Sequence, residues 1–289
     1  MKVAQRVDEL PRRERAVAIG TFDGVHAGHR RVIETARGAG LPTAVVTFDP
    51  HPRAVLGDEP IRQLTTLERR LELLADLGVE ETLVVPFDRD LAALEPEEFV
   101  DAILRPLGTS VVAAGEGFRF GHRRRGDLAL LERLGFEVRL VATVPGVSSS
   151  AIRDLVRAGE VKLGAALLGR PFELEGTVVS GDARGAGLGF PTANLAIPPA
   201  LVVPATGIYA GAADGTRAAI SIGFNPHYGG DEHRVETFLL DFEGDLYGRR
   251  LVVELWQRLR DERAFESEQA LVDQIAHDVE ETRAAQRPA

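Results

Sequence analysis

Two histidines, His26 and His29, stand behind a glycine-rich turn in the stretch Ile19-Gly-Thr-Phe-Asp-Gly-Val-His-Ala-Gly-His29. An apolar run at 16–19 precedes the turn, and a helical pattern over 28–37 follows it. The spacing predicts a strand, a turn and the opening of a helix. A helix start offers unpaired backbone N–H groups and the positive end of the macrodipole, so it suits an anion. Gly20 and Gly24 let the backbone approach a phosphate closely. Imidazoles add hydrogen-bond donors where charge develops on phosphorus. The chemistry these residues favour is therefore phosphate binding and transfer. A second candidate lies in the other half: the loop Gly181-Asp-Ala-Arg-Gly-Ala-Gly-Leu-Gly189, followed by Phe-Pro-Thr-Ala-Asn194.

The elements that must position these groups fall into two textures. Strand-like runs at 16–20, 43–48, 82–87, 110–114 and 137–144 alternate with helical patterns at 28–37, 66–77, 96–104 and 128–134. Such alternation predicts a parallel sheet with helices on its faces, and ligands in these sheets sit beyond the strands' carboxyl ends. In the 66–77 helix, Leu67, Leu71, Leu74 and Leu77 form the expected buried face, with Gly78 as its stop. Two further helices are expected at 150–158 and 161–168. Beyond Phe172, β-type runs at 174–179, 207–212, 217–222, 234–241 and 250–255 are split by Gly, Pro, Asn and Asp, with no helix between them. That pattern predicts a small antiparallel barrel, closed by a helix over 265–282. The expected division is 1–168 and 169–289.

Composition narrows the function. The chain has 289 residues, a net charge of −10 and no cysteine. Both halves are acidic, against a nucleic-acid or anionic-membrane partner. Thiolate catalysis, disulfides and cysteine-held metals are excluded. Lys2 and Lys162 are the only lysines, so there is no Walker Gly-Lys-Ser/Thr loop and Schiff-base chemistry is disfavoured. No signal-like or membrane-spanning apolar run is evident, and a cytoplasmic location is expected.

The histidine turn resembles that of the nucleotidylyltransferase superfamily, and within it the bacterial FAD synthetase domain. Three other stretches resemble the same pattern: Thr47-Phe-Asp-Pro-His-Pro52 with His51; Gly115-Glu-Gly-Phe-Arg-Phe-Gly121 with Phe118 and Phe120; and Ser148-Ser-Ser-Ala-Ile-Arg153. Alone, each has a plainer reading: serines cap helices, and phenylalanines pack. Taken together, the resemblance implies a Rossmann-like domain that transfers the adenylyl group of ATP to FMN. His26 and His29 would stabilise charge on the α-phosphate. Gly20, Thr21, Phe22, Asp23 and Gly24 would lie against the nucleotide, and Ser149, Ser150 and Arg153 would hold phosphates. One departure is Gly117, where the family commonly carries Asp or Asn.

The second cluster resembles riboflavin kinase, a small Greek-key barrel. By that resemblance Gly181, Gly185, Gly187 and Gly189 cover the ATP phosphates. Thr192 and Asn194 help hold Mg²⁺ with ATP, and Glu236 is the general base for the ribityl hydroxyl. Without the motif, Glu236 would read as a solvent-facing strand carboxylate. The implied protein is a bifunctional enzyme with riboflavin, FMN and ATP as substrates, FAD as final product, and no nucleic-acid or membrane partner. Gly117 motivates one alternative, a kinase whose first domain no longer makes FAD. A non-enzymatic flavin sensor is the other.

Overall fold

The computed structural model describes residues 1–57, 61–181, 189–224 and 233–288. The chain forms two compact units: Met1–Ile61 with Thr65–Ser148, and Arg62–Leu64 with Ser149–Ala289.

The first unit contains six strands, β1 (Lys2–Ala4), β2 (Arg15–Ile19), β3 (Thr43–Asp49), β4 (Glu81–Pro86), β5 (Thr109–Gly115) and β6 (Glu137–Val141). They form one parallel sheet in the order β1-β4-β3-β2-β5-β6. Period-2 alternation sends Val17 and Ile19 of β2 into one apolar cluster, and Ala16 and Ala18 into another. A sheet covered on both faces is what the continuous apolar strands require. From β2 the order runs to β3 on one side and to β5 on the other. The crevice expected at such a switch point lies beyond the carboxyl ends of β2 and β5, where the histidine turn and the 115–121 stretch begin.

The helix Leu67–Asp76 is capped by Thr66, whose side chain accepts from the Arg69 N–H, and Gly78 follows it at φ 75°. Its buried residues are Arg70, Leu73 and Leu74, a face rotated from the four-leucine face that periodicity suggests. The predicted 96–104 helix is α-helical only over Pro96–Phe99 and continues as a π-turn over Val100–Leu104.

In the second unit, six strands close into an antiparallel barrel: β7 (Phe172–Val179), β8 (Ala193–Ala196), β9 (Gly207–Ala213), β10 (Thr216–Phe224), β11 (His233–Leu239) and β12 (Arg250–Arg260). The ring order is β10-β11-β8-β7-β12-β9. β9, β10 and β11 are successive neighbours, and β12 returns to lie beside β9, which is a Greek key. Two irregularities, at Leu255/Gln257 and Arg258/Arg260, let β12 run past the expected end at Leu255. The helices Ser149–Arg157 and Val161–Leu168 bury Ile152, Val156, Val161 and Leu168 in the barrel's core cluster. They therefore belong to this compact unit, whereas the sequence reading groups them with the first half.

Candidate active sites

The turn after β2 is built from backbone that side-chain sterics disfavour. Phe22, Gly24 and Val25 have φ of 50°, 81° and 41°. Positive φ is routine for glycine but costly for a β-branched residue, and such strain clusters at functional sites. Side-chain hydrogen bonds tie the turn to its neighbours. The Gly24 N–H donates to Thr65 Oγ1 at 3.2 Å, the Thr65 N–H to Asp23 Oδ1 at 3.3 Å, and the Thr47 hydroxyl to the Thr21 carbonyl at 3.1 Å. Phe22 and Asp23 are buried, and Gly20 donates its N–H to Val46.

His26 caps the helix Ala27–Arg37. Its Nδ1 accepts the His29 N–H at 3.2 Å, so the proton of the neutral ring sits on Nε2. The two rings stack with centroids 3.6 Å apart and 13° between planes, and Phe22 meets His29 edge-on at 5.1 Å. Burial, then the neighbouring His26 and the Arg70 guanidinium, push the His29 pKa well below its ordinary value. His29 titrates near 6.5 in an unfolded chain. Between the two values the unfolded chain holds the extra proton, so stability rises with pH there and falls as the pH drops below about 6.5. Urea midpoints measured at about pH 5.5 and 7.5 should therefore lie closer together in His29→Gln than in the wild type.

His51 repeats the cap at the helix Pro52–Leu56, accepting the Arg53 N–H at 3.1 Å, directly after the cis peptide Asp49–Pro50. Phe118 and Phe120 stack at 5.6 Å, and Phe120 packs on Phe99 at 5.7 Å in the core. Arg153 is buried and donates to Ser150 Oγ at 3.3 Å, in the helix that Ser149 opens in the second unit.

The second site lies on the outer face of the barrel. In β11 the inward residues are Val235, Thr237 and Leu239, so Arg234, Glu236 and Phe238 face outward. Glu236 is paired in register with Asn194 of β8 on one side and Ser221 of β10 on the other. Three polar side chains thus form a rung across three strands. Glu236 and Ser221 border a cavity of about 610 Å³ whose walls also include Thr192, Phe238 and residues of the C-terminal helix Glu268–Ala284. Phe190 meets Phe238 edge-on at 5.4 Å, and the Glu236 side chain keeps 24% exposure with Arg234 Nε at 4.0 Å. β8 itself was not foreseen as a strand. Gly181 and Gly189 lie on either side of the glycine loop, while Gly185 and Gly187 lie outside the described residues.

Residues 9–152 match the FAD synthetase family and residues 168–286 the riboflavin kinase family. A curated relative from Listeria monocytogenes, named bifunctional riboflavin kinase/FMN adenylyltransferase, is 36% identical over 96% of this chain and 94% of its own. Relatives of the same name from Pseudomonas fluorescens (38%, 93% and 92% covered) and Escherichia coli (36%, 94% and 93%) agree. The chain belongs to the bifunctional riboflavin kinase/FMN adenylyltransferase family. The crystal structure of a Streptococcus pneumoniae protein named as a macrolide-efflux protein superposes with a TM-score of 0.88, covering 98% of this chain and 99% of that one at 31% identity. Among the described residues, no helix is long and apolar enough to cross a membrane.

A side chain at Gly117 would be sterically mild. The residue is exposed, and a Cβ there would meet nothing within 4 Å. The other motif glycine, Gly181, is different. A Cβ there would fall 2.1 to 2.7 Å from the side-chain amide of Asn194, so any larger residue must displace that amide. Gly181→Ala is expected to weaken kinase turnover roughly 10- to 100-fold, as loss of support behind a metal-site group does, and to raise the Mg²⁺ concentration needed for half-maximal rate. Mg²⁺ titration of FMN formation checks this.

The residues present fit the metal that the family uses. Among the described residues there is no cluster of three or more His, Cys, Asp or Glu able to cage an ion. Mg²⁺ does not need one, since it keeps waters and leans on substrate phosphates. Thr192 and Asn194 supply neutral oxygens at alternate, same-face positions beside Glu236.

Proposed function

We propose that the barrel phosphorylates riboflavin to FMN and that the sheet domain adenylylates FMN to FAD, each step using one ATP. The observation that carries the kinase assignment is Glu236, paired in register with Asn194 and lining, with Ser221 and Thr192, a cavity large enough for a flavin. Glu236 takes the proton of the ribityl 5′-hydroxyl as that oxygen bonds to the γ-phosphorus of ATP and the bond to the β-phosphate oxygen breaks, leaving ADP. Thr192 and Asn194 would hold Mg²⁺, which neutralises phosphate charge when bound. Gly181, Gly185, Gly187 and Gly189 cover the phosphates in place of a lysine.

In the first unit, a phosphate oxygen of FMN attacks the α-phosphorus of ATP and pyrophosphate leaves. The work is positioning and charge stabilisation. The helix start at Ala27 and the His26 and His29 imidazoles act on the α-phosphate, and Gly20 to Gly24 lie along the nucleotide. Ser149, Ser150 and Arg153, which the family resemblance gives as phosphate ligands, open the first helix of the second unit. His51, Phe118 and Phe120 border the FMN side of the site. Adenylyl transfer is assigned to the sheet unit and the kinase step to the barrel unit, in the cytoplasm.

Incubation of the purified chain with riboflavin, ATP and Mg²⁺, with flavins separated by chromatography, tests the reading. FMN followed by FAD is expected. FMN alone would restrict the chain to the kinase step, and neither product would remove both assignments.

A further inference from the structure

The first unit buries an arginine that the reaction above does not use. Arg70 lies on the inner face of the helix Leu67–Asp76, among Leu73 and Leu74, with no exposed surface. A buried guanidinium is costly unless its charge and donors are answered. Its Nη1 donates to the Phe48 carbonyl at 3.1 Å and to Thr47 Oγ1 at 3.4 Å, at the carboxyl end of β3. The Thr47 hydroxyl passes the connection to the Thr21 carbonyl at 3.1 Å, inside the histidine turn. Asp23 of that turn and Asp49 of β3 oppose the fall that burial imposes on the Arg70 pKa. Arg70 in turn acts on His29, as does the neighbouring His26. Arg15, also fully buried, contrasts with it. That guanidinium lies at the amino end of β2, beside Glu81 and the loop carbonyls of Arg13 and Leu107, away from the ligand edge.

We infer that Arg70 is a positioning residue for adenylyl transfer: it ties the histidine turn to the end of β3 and places a buried positive charge behind the His26–His29 pair. Three of the segments assigned to this site, 20–24, 26–29 and 47–52, thus share one guanidinium that does not itself touch substrate. The inference rests on the assignment of adenylyl transfer to this unit. A wild-type chain that makes no FAD from FMN and ATP would defeat that assignment, before any variant is compared.

The test uses the full chain with Arg70→Met, which removes the charge, and Arg70→Lys, which keeps the charge and loses the fork. FMN adenylylation is measured as kcat and KM across pH, riboflavin phosphorylation by the same preparation is the internal control, and the His29 ring is titrated by NMR. Arg70→Met is expected to lower kcat for FAD formation by about 100-fold with less than a threefold change in KM for ATP, and to leave FMN formation unchanged, within the range seen for displaced catalytic groups. The His29 midpoint should move upward, because a repelling charge has gone. Arg70→Lys should recover about tenfold of the loss. Adenylylation within threefold of wild type, equal losses in both activities, or an unmoved His29 midpoint in Arg70→Met would each overturn the inference. If Arg70→Met does not fold, Arg70→Lys decides. At least a tenfold fall in kcat with the kinase intact upholds the role of the fork, and a wild-type rate removes it.

Discussion

Glu236→Gln is expected to lower FMN formation by roughly 10²- to 10⁴-fold, the range a positioned general base supplies, while FAD formation from added FMN continues at the wild-type rate. The amide keeps the size of the carboxylate but cannot take the ribityl proton. Little else is lost with the charge. The side chain is 24% exposed, and its ionic neighbour Arg234 is 4.0 Å away, a distance at which an exposed pair contributes about 0–1 kcal/mol. An unchanged unfolding midpoint would therefore accompany a large kinetic loss. A kcat within a few-fold of wild type would return Glu236 to an ordinary outward-facing strand residue.

His29→Asn is expected to do the converse. FAD formation should fall roughly 10²- to 10³-fold, the loss seen when one preorganised donor to a developing oxyanion is removed, with riboflavin phosphorylation unaffected. The ring is held on both sides, against His26 at 3.6 Å and Phe22 at 5.1 Å, so its donor needs little reorganisation when charge develops. Burial, His26 and Arg70 favour the neutral ring. The negative charge of a polyphosphate acts in the opposite direction, and the pH profile of kcat/KM with and without saturating ATP should separate the two states.

The motifs that carry chemistry were legible because they follow strands. An apolar run, glycines and a helix pattern announce the turn at 20–29 without tertiary information. The antiparallel barrel was readable from short β-type runs broken by turn residues. What escaped depends on partners distant in sequence. Residues 193–196 contain Ala and Asn, poor strand formers, and become β8 through pairing with β7 and β11. That pairing sets Asn194 opposite Glu236, a relation the sequence alone does not contain. Arg70 was missed because a charged residue on an amphipathic helix reads as solvent-facing. Here the helix face is rotated to bury it next to Leu73 and Leu74. The helices over 149–168 precede the change to β-type runs at Phe172 and so read with the first half, but their apolar residues enter the barrel core.

The central claim is that two separate sites on one chain perform successive steps. Mixing Glu236→Gln and His29→Asn preparations with riboflavin, ATP and Mg²⁺ tests it most directly. Over an interval that just suffices for the wild type, the first alone is expected to yield about 1% or less of the wild-type FMN, and the second to accumulate FMN with about 1% or less of the wild-type FAD. Together they should produce FAD, as FMN released by one chain is adenylylated by the other. FAD from either variant alone at a rate near the wild type's, or no more from the mixture than from the variants separately, would contradict the account.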